Sequence, residues 1–81
     1  MAYVYVLYNK DYNRHYIGST RDLDARIKAH RSGKVRSTKA YRPWDLVYQE
    51  KFDDYSEARK RELFLKSGVG RKWISENIQS K

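Results

Sequence analysis

From Tyr3 to Tyr8 the chain reads Tyr-Val-Tyr-Val-Leu-Tyr without a polar break. Such a short run of aromatic and β-branched residues predicts a strand covered on both faces and therefore central in a sheet. Turn formers fill Asn9 to Asn13, and His15-Tyr16-Ile17-Gly18 follows, so the first two strands are expected to form a hairpin, with Gly18 ending the second. From Thr20 the pattern becomes helical. Thr20 is a cap, Asp22 and Asp24 suit the positive end of a helix dipole, and Gly33 is a stop, which predicts a helix over about Arg21 to Ser32. Residues three and four apart share a face, so Leu23, Arg26, Ile27 and His30 form the inward stripe. Two polar groups on that stripe set it apart from an ordinary packing face.

Between Gly33 and Arg42 the cations Lys34, Arg36, Lys39 and Arg42 are scattered among Ser, Thr and Gly with no clear period, which predicts an exposed basic loop. Beyond Pro43, Trp44, Leu46 and Tyr48 alternate with polar or smaller residues as in a third strand, over Trp44 to Phe52. Asp54 followed three residues on by Glu57 starts a second helix, about Ser56 to Lys66. Its apolar positions Ala58 and Leu65 bracket Glu62 and turn that carboxylate toward the core side. Trp73, Ile74 and Ile78 recur at helical intervals within Gly70 to Gln79, a third helix. The order strand, strand, helix, strand, helix, helix predicts an α+β fold with a small, mainly antiparallel sheet.

At 81 residues the chain has room for one domain, 1–81, with one modest core. Hydrophobic residues at 40%, with eight Tyr among them, exclude a disordered polymer. The absence of Cys rules out disulfides and thiolate metal sites, and a cytoplasmic setting is the expectation. Ala2 to Tyr8 lacks a basic leader and a cleavage site and is too short to span a bilayer, so neither a targeting segment nor a membrane span is expected. Eighteen Lys plus Arg against ten Asp plus Glu leave a formal charge of +8, which favours a polyanionic partner. A phosphate-cradling Gly-rich loop, a Ser-His-Asp set and a His-Glu-x-x-His helix are all missing, and nothing calls for a small-molecule organic cofactor.

Tyr3-Val4-Tyr5 is followed after ten intervening residues by Tyr16-Ile17-Gly18, then by Arg26 ten positions later and by a late helical Glu62. This spaced set resembles the GIY-YIG nuclease module, most closely its small stand-alone bacterial members. Asp22-Leu23, His30, Gly33, the Arg42-Pro43-Trp44 turn and Ser56-Glu57-Ala58 extend the likeness over nearly the whole chain. The resemblance implies a three-stranded antiparallel sheet flanked by about three helices, and divalent-metal-dependent endonuclease action on phosphodiester bonds in DNA. It assigns catalytic roles to Tyr5, Tyr16, Arg26 and His30, a structural role to Gly18, and the metal to Glu62. Two positions depart from the family pattern: Tyr3 replaces the first motif glycine, and Ser19 stands where larger members often carry a Lys.

Elementary chemistry fits these assignments. Hydrolysis needs an activated water, a stabiliser for charge on the phosphate oxygens and help for the leaving alkoxide. A tyrosine loses its proton only near pH ~10 unless a cation lowers that value. Arg26 offers a planar charged fork for phosphate. A single carboxylate suits one Mg²⁺ or Mn²⁺ ion, which keeps several waters, better than it suits Zn²⁺. Arg21, Lys34, Arg36, Lys39 and Arg42 are expected to hold DNA through its phosphates, and repair intermediates and branched DNA are among the candidate substrates. Plainer readings compete: the tyrosines as packing aromatics, Arg26 and Glu62 as a structural ion pair, His30 as a buried histidine, Arg59-Lys60-Arg61 as a solvated face. A nucleic-acid-binding module with little catalysis is the functional alternative.

Overall fold

A computed structural model describes residues 1–78. Strand β1 (Ala2–Asn9) lies between β2 (Arg14–Thr20) and β3 (Asp45–Phe52), antiparallel to both. The unbroken apolar run of β1 thus sits at the centre of the sheet as expected, with Val4, Val6 and Leu7 fully buried. Helix α1 (Leu23–Arg31) packs on one face, and α2 (Tyr55–Lys66) and α3 (Gly68–Asn77) are associated with the other. Alternation along β1 divides the core accordingly. Val4 and Val6 join Ile17, Leu65, Ile74 and Ile78 under α2 and α3, whereas Tyr5 and Leu7 join Ile27 and Trp44 under α1. Among the described residues no helix is long and apolar enough to cross a membrane.

Several boundaries differ from expectation, each for a local reason. Gly18 does not end β2, which runs on to Thr20 because Ser19 and Thr20 pair with Val4 and Tyr3. The cap of α1 is therefore Asp22, whose side chain accepts the Ala25 N–H at 3.1 Å, and not Thr20, whose hydroxyl accepts the Asp22 N–H. Helix α1 ends as expected at Gly33, with φ +81°; Gly33 N–H bonds the His30 carbonyl and Lys34 N–H that of Ala29, closing the last turn. Asp54 caps α2, accepting the Glu57 N–H at 2.9 Å. Ser67 caps α3, which starts two residues before the expected Gly70; Gln79, its expected end, lies outside the described residues.

Strand β3 carries the one irregularity that changes facing. Its register against β1 slips between Val6, opposite Tyr48, and Leu7, opposite Leu46. Val47 is the extra residue of this bulge. Trp44 and Leu46 consequently face α1, while Tyr48 packs on the α2–α3 side, although simple alternation had put all three on one face.

Candidate active site

Tyr5 and Gly18 are directly paired across β1 and β2, and their side positions share a face. The phenol of Tyr5 lies over Gly18 so closely that a Cβ there would stand 2.5 Å from its Oη and 2.7 Å from Cζ. Gly18 is thus required for space. Tyr16, two residues earlier on the same face of β2, has its ring centroid 6.3 Å from that of Tyr5.

One turn apart on α1, Arg26 and His30 point at this pair, and the four side chains form a single contact group. Arg26 Nε donates to Tyr5 Oη at 3.4 Å, and Tyr5 Oη lies 2.9 Å from His30 Nε2. His30 Nδ1 lies 2.8 Å from Thr38 Oγ1, which itself donates to the Val35 carbonyl at 3.3 Å. The tautomer of His30 sets the direction of these bonds: with the Thr38 hydrogen on Val35, Nδ1 donates to Thr38 and Nε2 accepts from Tyr5, and with the Thr38 hydrogen on Nδ1, Nε2 donates to Tyr5. Burial pushes the Tyr5 phenol up to about 12, with the Arg26 hydrogen bond opposing it and the nearby Tyr16 and Glu62 adding to it. Burial, then the Arg26 charge, pushes His30 down to about 4. At neutral pH both are uncharged, and His30, fully buried, has both ring nitrogens occupied from within the fold.

Glu62 arrives from the other layer. It is 3% exposed on α2, facing inward beside Ala58 and Leu65 as expected. Ser19, the residue after Gly18 and hence on the opposite face of β2, donates to Glu62 Oε1 at 2.5 Å. Arg59 Nη1 reaches the same oxygen at 2.9 Å and Lys66 Nζ takes Oε2 at 2.7 Å. Burial raises the carboxyl's pKa, but the bonds from Lys66, Ser19 and Arg59 outweigh it and hold the group below its ordinary value. Glu62 and the Tyr5–Arg26 group thus approach from the two sides of the edge strand β2, close enough that the Glu62 charge adds to the upward push on the Tyr5 phenol. Glu62 is not paired with Arg26; its partners are Arg59 and Lys66.

Among the described residues no three His, Cys, Asp or Glu gather to hold a metal ion, so a cation here would rest on Glu62 with Ser19 beside it. One carboxylate and a hydroxyl form an all-oxygen donor set, which fits a hard divalent ion that keeps most of its waters. The expected basic residues are exposed, but the loop bearing them is not free. Thr38 is buried, its carbonyl accepting Trp44 Nε1–H at 2.9 Å, and Asn9 Nδ2 donates to the carbonyls of Tyr41 and Pro43. A 3-10 turn spans Lys39–Tyr41. Lys39 and Arg42 line, with Arg31 and Trp44, a separate pocket of about 680 Å³, while Arg21 stacks over the Tyr55 ring at 4.7 Å. Lys34 and Arg36 are exposed on the same loop. Of the cluster read as a solvated face, Arg59 holds Glu62, and Arg61 binds Glu50 at 3.0 Å and lies over the rings of Phe64 and Trp73. Sequence reasoning missed Asn9 and Thr38 and the contacts of Ser19 and Lys66 with Glu62; a single polar residue against an apolar strand end was the only trace left by Asn9.

Known proteins resemble this chain in sequence and in fold. The family model of the GIY-YIG catalytic domain matches residues 1–74. A UPF0213 protein of Staphylococcus haemolyticus is 47% identical over 66 residues, covering 80% of this chain and 79% of its own length. UPF0213 protein YazA of Bacillus subtilis is 37% identical over 83 residues, covering 98% of this chain and 83% of its own. The solution NMR structure of a UPF0213 protein from Bacillus halodurans superposes with a TM-score of 0.56 at 36% identity, covering 94% of this chain and 84% of that one.

Proposed function

The chain belongs to the GIY-YIG family, a nuclease family acting on nucleic acid, and on that premise we propose that it hydrolyses phosphodiester bonds in DNA as a divalent-metal-dependent endonuclease. The observation that carries this reading is the hydrogen-bonded chain that joins Arg26, Tyr5, His30 and Thr38 beside the half-exposed Tyr16. A purely structural cluster has no need to keep a permanently charged guanidinium against two phenols at the sheet surface.

Each group has a task. Arg26, partly exposed, engages the non-bridging oxygens of the phosphate and stabilises charge growing there. Tyr5 stays protonated, because burial holds its proton up to about 12, and it shares a hydrogen bond with His30. Its oxygen accepts from Arg26, so the buried phenol orients the guanidinium beside the phosphate. Tyr16 relays the proton: its oxygen accepts one from the water as the water oxygen bonds to phosphorus. Its own hydrogen passes to solvent, and the sugar oxygen takes a proton from a solvent water as its bond to phosphorus breaks, leaving an alcohol and a phosphomonoester. His30 touches no solvent and acts as a positioning residue for Tyr5. A Mg²⁺ or Mn²⁺ ion at Glu62 would supply Lewis-acid stabilisation of the phosphate and of the leaving oxygen. Arg21, Lys34, Arg36, Lys39 and Arg42 hold the DNA backbone without reading bases.

The test is incubation of supercoiled and branched DNA with Mg²⁺ or Mn²⁺, comparing wild type with Glu62→Ala, Arg26→Ala and Tyr16→Phe. Nicking by the wild type and its loss in each variant is the expected result. A wild type that binds DNA but nicks nothing would make the domain a binding module, and unchanged cleavage by Glu62→Ala would remove Glu62 from the mechanism.

A further inference from the structure

Glu62 carries one negative charge, yet two cations sit on it, one at each oxygen. The immediate surroundings of the carboxylate are therefore net positive before any divalent ion arrives. A doubly charged ion entering with both cations in place would meet two like charges within a few ångström, which opposes binding. The cations are well placed to leave: the side chains of Arg59 and Lys66 are 52% and 44% exposed, on long flexible stems, while the glutamate side chain is 5% exposed and stays behind. Ser19 holds Oε1 independently of both, so the carboxylate keeps its direction when they go.

Resting on the assignment of Glu62 as the metal anchor, we propose that Arg59 and Lys66 form a removable cationic cap that excludes the divalent ion from the free chain and swings onto phosphates of bound nucleic acid. The same two side chains then serve two purposes in turn. In the free chain they neutralise a buried carboxylate that would otherwise lack compensation. Once several phosphates line the site they supply alternative anionic partners that the exposed, flexible cations can reach, vacating both carboxylate oxygens. Ion and nucleic acid consequently bind with positive coupling, and by linkage the ion strengthens nucleic-acid binding by the same factor.

The experiment is a Mn²⁺ titration of the isotopically labelled chain, read as paramagnetic broadening of the backbone amides of Gly18, Ser19 and Glu62. Wild type, Arg59→Ala/Lys66→Ala and Glu62→Gln are compared, without and with a short DNA duplex at saturation, in a Tyr16→Phe background that keeps the strands intact. Each half-exposed ion pair is worth up to a few-fold, so the double variant is expected to bind Mn²⁺ roughly three- to ten-fold more tightly than wild type without DNA. Duplex is expected to tighten Mn²⁺ binding in the wild-type cap, and to do so much less in the double variant. Equal or weaker Mn²⁺ binding by the double variant, with Glu62→Gln abolishing the broadening, overturns the cap and leaves the metal anchor standing. Broadening that persists in Glu62→Gln overturns the anchor itself and the cap with it.

Discussion

Replacing Gly18 by Ala perturbs the site through space alone. An added methyl would lie 2.5 Å from Tyr5 Oη, 2.7 Å from Cζ and 3.2 Å from a Tyr16 ring carbon. Restoring an ordinary contact of 3.4 Å requires the phenol oxygen to retreat by about 0.9 Å. Tyr5 is 1% exposed, its ring is rigid, and it is tied to His30 at 2.9 Å and Arg26 at 3.4 Å, so the movement stretches both bonds or shifts the strand. Overpacking of a tight core costs about 1–3 kcal/mol, which for a domain of this size lowers Tm by roughly 4–24 °C. The proposed cleavage should fall far more than folding does, because Tyr5 leaves its oriented position. Thermal unfolding by circular dichroism and plasmid nicking measure the two effects. Gly68→Ala is the control: nothing lies within 4 Å of its Cβ, and the change is expected to leave Tm nearly unaltered. Adding Tyr5→Phe to Gly18→Ala removes the nearest atom but leaves the Cζ contact, so only part of the stability should return. A Gly18→Ala chain with wild-type Tm and wild-type nicking would refute the steric account.

Three further outcomes follow from the same geometry. His30 has a folded pKa of about 4 against 6.5 in the open chain, so its neutral form contributes stability that is complete above pH 6.5 and lost as pH falls toward 4. That contribution is on the order of 3 kcal/mol; urea unfolding at pH 7 and pH 4.5 should show a smaller acid loss in His30→Gln, and an equal loss in both chains would contradict it. Asn9→Ala strands the carbonyls of Tyr41 and Pro43 and the Tyr12 N–H, and should destabilise the chain by about 2–3 kcal/mol in urea, with faster amide exchange over residues 34–42. If Lys39 and Arg42 each hold a DNA phosphate, removing either should reduce the slope of log K against log salt by about 0.9, a change readable by fluorescence titration; an unchanged slope assigns the contact elsewhere.

What the sequence disclosed follows from how local each signal is. The central place of β1 was legible because an unbroken apolar run permits no solvent-facing side, and the inward direction of Arg26, His30 and Glu62 followed from helical spacing alone. The β3 bulge was not legible, since Val47 fits either face and the slip depends on pairing with Val6 and Leu7 across the sheet. Thr38 looked like one more polar residue in a basic loop; only the docking of that loop against α1 brings its hydroxyl to His30. Arg59 and Lys66 sat three and four positions from Glu62 in plain view, but which of many neighbouring cations grips a carboxylate depends on rotamers and on the depth of the acid.

Tyr5 reaches His30 across 25 positions, and Ser19 reaches Glu62 across 43. During synthesis β1 can pair with β2 and meet α1 early, yet it gains its second flanking strand and the cover of its other face only after β3 and α2 have followed. Until then one hydrogen-bonding edge and one face of this aromatic ribbon stay open, the kind of segment that chaperones hold and proteases clear. A chain interrupted before Glu62 therefore keeps that face of β1 uncovered, since the carboxylate and the helix that closes the second core layer arrive together.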